Sequence, residues 1–404
     1  MIYLDNAATI APNKEALRIA TQKYEELFYN PSASYKHGAE VHALIEDCKR
    51  TILETLVNEE DIPDYDIIFT GSGTEADNLA VRWTYYTNNP VLISNKEHSG
   101  IFETAKKSFR VYPTMDGDDY FLRENFSIYP CPNGILASNE LLKFEDDDKD
   151  RSPLVSYVHV SNETSEITDI VSLAKKVKER YHEALFHSDG VQAYGKIPFK
   201  LTPEIDMYSI SAHKIGGIKG IGALVYRKEV RDRLRPIIYG GGQENGLRSG
   251  TENVLGIIDF AEAVKRWGNP RDTVDEEFSF DTRVIIYSAI ANRLRETLWE
   301  LLHKDKFVRI SPEDGSPYIL TVSAKGKNNE LIQKILEEKY GILVGIGSAC
   351  SSNHAENKGR VLRAVGYGDD IINGALRFSF SPQTTVEEIR TAAKAVNEVV
   401  WSLS

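Results

Sequence analysis

The sequence predicts an α/β protein: a large domain on a mostly parallel sheet, with a smaller α+β domain beside it. Three observations carry this. Between residues 66 and 210, short apolar, β-prone runs alternate with longer segments of helical apolar spacing. A second set lies further on: alternation at Tyr318 to Ser323, a helix at Leu331 to Lys339, and a strand at Leu376 to Phe380. The chain has 404 residues, enough for two cores. The large domain is expected over residues 15–260, and the small one from 1–14 together with 261–404.

Composition bounds the function. Hydrophobic residues at 41% and charged residues at 27% are ordinary for a soluble globular protein. Against 60 acidic residues stand 48 basic ones, a net charge of −12 that argues against a nucleic-acid-binding surface. The opening MIYLDNAATIAP has neither a basic segment nor a long apolar core, so it does not read as a signal peptide. No apolar run approaches membrane-spanning length. Cys48, Cys131 and Cys350 form no C-x-x-C pair, which fits a reduced, cytoplasmic protein without disulfides or a structural zinc site.

In chain order, Ile2 to Leu4 reads as a strand leading into the polar turn Asp5 to Thr9. Lys14 to Tyr29 and Ala39 to Leu56 have helical spacing, with the loop YNPSASYKHG between them. Cys48 is expected as a small residue on a helix face. The strand DIIFT (66–70) passes directly into GSGTEADNLAVRW, where Ser72 and Glu75 have capping-box spacing. Gly71 and Gly73 let backbone N–H groups face outward ahead of a helix end, an anion site suited to a phosphate. A plain strand-to-helix turn has the same appearance. The spacing matches neither the nucleotide-triphosphate nor the dinucleotide glycine motif.

PVLIS (90–94) is the next strand, and NKEHSG sets His98 at its end. Residues 110–150 are less regular, with MDGDD, PNG and FEDDDKD reading as hairpin turns and an acidic loop that carry no site. Cys131 there reads as structural. LVSYVHV (154–160) is a strand ending at Ser161-Asn162-Glu163, and a helix follows from Ile170 to Tyr181. A strand within ALFHSDGVQAYG ends at Asp189, with Gln192 one short turn on. A surface or core histidine and a helix-capping aspartate are the structural alternatives for His98 and Asp189.

Ile205 to Ile210 is again a strand, and Ser211, Ala212, His213 and Lys214 follow it ahead of a glycine-rich run. Alone, Lys214 reads as a solvated loop residue. Yet Thr74, His98, Asn162, Asp189 and Lys214 each follow a predicted strand, and in a doubly wound sheet such ends converge on one crevice. A phosphate cradle, a carboxylate and a lysine at that edge describe a pyridoxal phosphate site. The phosphate needs N–H donors, the pyridinium nitrogen an anion and the aldehyde an amine.

With these residues in place, the sequence resembles the cysteine desulfurases of the NifS/IscS type, in the class V aminotransferase group of fold-type I pyridoxal phosphate enzymes. The resemblance runs nearly end to end through YLDNAAT, NPSAS, FTGSGTEADNLA, Glu97-His98, HVSNE, SDGVQAYGK, SAHK with GIKGIGAL, LRSGT, GSAC and LRFS. It implies that Lys214 holds the cofactor as a Schiff base, that Asp189 pairs with its ring nitrogen and that His98 stacks on the ring. Asn162 and Gln192 would contact the phenolic oxygen. Gly73, Thr74, Ser211 and His213 would bind the phosphate, with Thr251 arriving from the second subunit of a homodimer. Arg377 would clamp the substrate carboxylate, assisted by Asn30.

The resemblance also assigns a reaction. Cys350 lies in GIGSACSSNHAENKG, where an apolar run gives way to polar and glycine residues, a setting that suits a reactive thiol. It would take the sulfur of L-cysteine as a persulfide, release alanine and pass the sulfur to an acceptor protein. Iron–sulfur cluster assembly, thio-modification of tRNA or another sulfur pathway would consume it. A selenocysteine lyase or another class V enzyme is the alternative, with a non-enzymatic sulfur-transfer scaffold behind it. Three features depart from the family: HVSNETSE in place of HVNNE followed by Ile-Gly, an extra residue before His37, and a longer segment at 110–128 that reads as an added hairpin.

Overall fold

A computed structural model describes residues 1–82, 91–106, 109–113, 120–124, 126–129, 153–268, 278–346 and 359–403. The chain opens with β1 (Ile2–Leu4), α1 (Lys14–Glu26) and α2 (Lys36–Leu56). The Asn13 side chain caps α1 by accepting from Ala16 N. This helix stops at Glu26, short of the expected Tyr29, where Leu27 leaves helical backbone at φ −124°, ψ 47°. The second helix starts three residues earlier than its apolar spacing indicates.

Next come β2 (Tyr65–Thr70), α3 (Gly73–Arg82), β3 (Val91–Ser94), α4 (Ser99–Lys106), β4 (Phe109–Pro113), β5 (Tyr120–Glu124), β6 (Phe126–Tyr129) and β7 (Leu154–Val158). They are followed by α5 (Ile170–Arg180), β8 (Leu185–Asp189), β9 (Met207–Ser211), β10 (Gly222–Arg227) and α6 (Val254–Arg266). Strands β4 and β5 pair antiparallel as the two arms of the expected hairpin. The other strands of this stretch form a seven-stranded sheet in the order β2-β10-β9-β8-β7-β3-β6. All its neighbours are parallel except β10, which runs antiparallel to both β2 and β9. Strand β10 is the element the sequence hid: GALVYR follows a glycine-rich run and reads as its continuation.

Strand residues alternate between two apolar layers. Val155, Tyr157, Phe186 and Tyr208 face α2, α5 and α6, whereas Leu154, Leu185, Met207 and Leu224 face α3 and α4. Burial on both faces is what parallel sheets require, and it explains runs such as LVSYV in which every residue is buried.

The remaining elements are α7 (Phe280–Leu301), β11 (Phe307–Arg309), β12 (Ile319–Ala324), α8 (Asn329–Tyr340), β13 (Ile342–Val344), α9 (Arg360–Ala364), α10 (Asp369–Ile372), β14 (Ala375–Ser379) and α11 (Val386–Ser402). A β11-β12-β14 sheet and a parallel β1-β13 pair share a separate core with α7, α8 and α11. Three of its helices are side-chain capped: Ser279, Asn328 and Thr385 each accept from a first-turn N–H, and Thr385 with Glu388 completes a capping box. The alternation at Tyr318 to Ser323 is not a solvent-facing pattern, since all six residues of β12 are buried. Among the described residues no helix is long and apolar enough to cross a membrane.

The loop after β7 departs from the family at Ser165, which sits at φ 65° in the left-handed region where the resemblance places a glycine. Its buried hydroxyl has no hydrogen-bond partner, while its carbonyl accepts from Ser316 N at 2.6 Å. Left-handed backbone costs a side-chain-bearing residue about 1–2 kcal/mol, more than the extra chain entropy of glycine. Ser165→Gly should therefore stabilise the protein by about 1 kcal/mol, read as a higher denaturant midpoint. A lower midpoint would mean that the serine side chain packs usefully.

Candidate active site

A cavity of about 250 Å³ lies at the carboxyl ends of β7, β8 and β9. At one end is the start of α3. Ser72 Oγ accepts from Glu75 N at 3.1 Å, and Glu75 Oε2 accepts from Gly71 N at 2.8 Å. The glutamate thus reaches one residue further back than a capping box requires, bracing the whole Gly71–Thr74 turn. Because β10 is antiparallel, its first residue, Gly222, meets the ends of β2 and β9 together. A Cβ there would stand 2.4 Å from the Ser72 carbonyl carbon and 2.7 Å from Gly73 N, so only glycine admits this turn so close to the sheet.

Gly73, Thr74, Ser211 and His213 all line this end of the cavity. Ser211 Oγ is buried without a hydrogen-bond partner. His213 Nδ1 lies 3.2 Å from Thr9 Oγ1. Burial, assisted by the charge of Lys214, pushes the His213 imidazole down to about 4, so it is neutral near pH 7. An orphaned hydroxyl, a neutral imidazole and a helix start form a donor set that fits a phosphate.

Asp189 ends β8, and its Oδ1 accepts from Val191 N at 2.9 Å. Burial raises its carboxyl above the ordinary range, while the nearby His98 and Lys214 oppose the rise. Asp77 of α3 lies close by: ligand atoms of Asp77, His98 and Asp189 fall within 4.8 Å of one another. Burial and the charge of Asp189 push Asp77 well above the usual range. Both acids are thus pushed up by burial, Asp77 further by the charge of Asp189, while Lys214 favours the charged form of Asp189. That charge is what a ring-nitrogen cation would pair with.

His98, between β3 and α4, also lines the cavity. Its Nδ1 accepts from Gly100 N at 3.1 Å, which leaves the ring proton on Nε2. Lys214 Nζ donates to the carbonyls of Ala7 at 2.6 Å and Ala8 at 2.9 Å. Gln192 Nε2 donates to the same Ala7 carbonyl at 2.8 Å. Arg377, on β14, enters from the small sheet. Its Nη2 pairs with Asp5 at 2.8 Å, its Nη1 donates to the Asn162 carbonyl at 3.1 Å, and its Nε is buried without a hydrogen-bond partner.

The aminotransferase class-V profile matches residues 2–391. The chain is 32% identical over 416 residues to the cysteine desulfurase IscS of Buchnera aphidicola subsp. Schizaphis graminum, covering 100% of this chain and 93% of that one. It is 35% identical to a cysteine desulfurase of Gluconacetobacter diazotrophicus, covering 96% and 90%. The chain belongs to the aminotransferase class-V family, on its cysteine desulfurase branch. Among solved structures it is similar to the NifS-like protein from Rickettsia africae, with a TM-score of 0.81, 27% identity and 99% of each chain covered.

Not every residue that the family resemblance assigns lies at the cavity of this family member. Asn30 turns its side chain onto Ser32 N at 2.9 Å, while Thr251, expected at the other subunit's site, is exposed and off this cavity's wall. Cys350 and Cys131 lie outside the described residues. Cys48 is buried in α2, where burial pushes its thiol up to about 12, which makes it inert. Sequence reasoning passed over Asp5, Asp77, Glu97 and Ala7. Asp5 stands in YLDNAAT and Asp77 in the α3 motif, so motif membership could have flagged both. Ala7 acts through its carbonyl, which carries no side-chain signal.

Glu97, beside His98, is fully buried, and its Oε1 accepts from Ser94 Oγ at 2.5 Å and Val158 N at 2.8 Å. It thereby ties the end of β3 to the end of β7. Burial raises its carboxyl from 4.5 to about 8. The folded protein then keeps a proton that the unfolded chain releases, so this stabilisation is full below 4.5 and is lost as pH rises to about 8. Glu97→Gln has no such proton to lose. Its unfolding midpoint should gain on wild type across that window and stop gaining above it. A constant offset would show that Glu97 is charged in the folded state.

Proposed function

We propose that this protein removes sulfur from L-cysteine, yielding L-alanine and a persulfide on Cys350 that passes to an acceptor protein, with pyridoxal phosphate as its cofactor. The observation that carries this reading is that Lys214, an anion cradle and the Asp189 carboxylate line one cavity. Gly73, Thr74, Ser211 and His213 would hold the phosphate, Lys214 the aldehyde carbon, Asp189 the ring nitrogen, and Asn162 and Gln192 the ring oxygen. When bound, the cofactor supplies an electron sink that labilises bonds at the substrate α-carbon.

The chain's own residues do the rest. Arg377 lines the cavity with its guanidinium held by Asp5 and the Asn162 carbonyl, and would pair with a substrate carboxylate. Lys214 Nζ, once exchanged for the substrate amine, is the base that moves the α-proton. His98 carries a proton on Nε2 at the cavity wall and serves as acid or base on the substrate side. The Cys350 thiolate forms an S–S bond to the substrate sulfur as the Cβ–S bond breaks. The bond's electron pair stays with carbon, which takes a proton to become the methyl group of alanine.

We also read the chain as two domains, 15–260 and 1–14 with 261–404; two separate cores support a division in two, with Ile10, Val264, Trp267 and Val284 packing into the first core. A cytoplasmic homodimer is proposed with it, each subunit lending Thr251 to the other's phosphate site. Iron–sulfur cluster assembly, among sulfur-using pathways, fits the branch to which the chain belongs.

With L-cysteine and a thiol reductant, wild type should release sulfide and alanine, and Cys350→Ala should lose sulfide release. Equal turnover by Cys350→Ala would replace this mechanism with a lyase or transaminase. Arg377→Lys should raise KM for L-cysteine about 10- to 100-fold, as expected for one lost charge-assisted pairing. An unchanged KM would remove Arg377 from substrate binding.

A further inference from the structure

One buried ionisable group near the cavity has no part in the reaction as described. Lys196 follows Gln192 by one turn, is 2% exposed, and does not line the cavity. Among the described residues its side chain has a single hydrogen-bond partner, Gln192 Oε1 at 3.0 Å, and no carboxylate within ion-pair distance. An ammonium buried with no anion is costly, and Lys214 and Arg377 add like charge. Burial and those two cations drive its pKa well below the ordinary lysine range.

The geometry fixes what that amine does to its neighbour. A carbonyl can only accept, so the bond from Gln192 to the Ala7 carbonyl must come from the amide nitrogen. The amide oxygen then faces Lys196, and both ends of the Gln192 head group are engaged. The Ala7 oxygen is saturated by Gln192 Nε2 and Lys214 Nζ together. Gln192 lines the cavity, so the second Nε2 hydrogen is the one left to point into it. Without Lys196, the amide oxygen would be buried without a donor, and the head group would rotate to find one.

We infer that Lys196 is a positioning residue, locking the Gln192 amide so that it presents an N–H, rather than its oxygen, to the ring oxygen of the cofactor. The inference rests on the proposed cofactor and on Gln192 as its contact. It assigns Lys196 no contact with substrate.

A double-mutant cycle on apo-protein titrated with pyridoxal phosphate tests it, with the dissociation constant as the readout. Lys196→Met should weaken binding about tenfold in the wild-type background, the order expected for one misdirected hydrogen bond. In a Gln192→Leu background the same substitution should change binding less than about twofold, because there is no amide left to orient. A structural role would give equal losses in both backgrounds, and that result, or no loss at all, overturns the inference while leaving the cofactor assignment intact. Wild-type apo-protein that fails to bind pyridoxal phosphate overturns both. Should Lys196→Met not accumulate as folded protein, Lys196→Leu, which also lacks a donor, is carried through the same cycle, with the same two outcomes.

Discussion

The site depends on one backbone oxygen. The Ala7 carbonyl takes hydrogen bonds from both Lys214 and Gln192, and it belongs to a turn that is not part of the large sheet. That turn is pinned from several sides. Tyr3 Oη donates to the Asp5 and Thr9 carbonyls, Asn6 Nδ2 donates to the Ser379 carbonyl, and Ala7 N donates to Ser379 Oγ. Asp5 in turn holds Arg377. The N-terminal ten residues therefore join the two cores, and they bring Lys214 and Arg377 to one cavity. Their polar turn is an internal wall rather than a surface loop.

Behind the cavity, a polar layer crosses a sheet interior that is otherwise apolar. Ser156, His187 and Ser209, on β7, β8 and β9, form a chain through both nitrogens of His187 at 2.9 Å each. Asp77 lies 3.9 Å from His187 Nε2. Burial drives His187 down to about 3, so this layer holds no positive charge to compete with a bound ring for Asp189. Fully buried networks of this kind resist rearrangement, because any broken bond leaves a desolvated polar group. The carboxylate at the cavity is thus held by its own strand and backed by neutral neighbours.

Much of this was legible in the sequence, and particular residues show why. Strand ends announce themselves locally: apolar runs give way to Gly71, Asp189 and Ser211 within one or two residues, and period and punctuation are properties of the chain alone. The start of α3 at Ser72 and Glu75 is equally local, since a cap needs only its own first turn. Strand β10 escaped because its glycine-rich approach resembles the loop before it, and its role depends on two partners far off in sequence, β2 and β9. Asp77 escaped because an aspartate on a helix ordinarily faces water, and only packing beneath Asp189 makes it a buried acid.

By itself, the sequence determined the α/β class, the order of the main strands and helices, and the set of residue types able to serve a phosphate, a ring nitrogen and an aldehyde. These follow from local spacing and from the chemistry each side chain carries wherever it lies. Only the tertiary structure decided which groups share a proton, which carbonyl holds Lys214, and which charge faces Arg377. Those outcomes are set by distance and dielectric between residues up to 372 positions apart, such as Asp5 and Arg377. No local pattern encodes such a distance, because it exists only once both cores have packed against the same N-terminal turn.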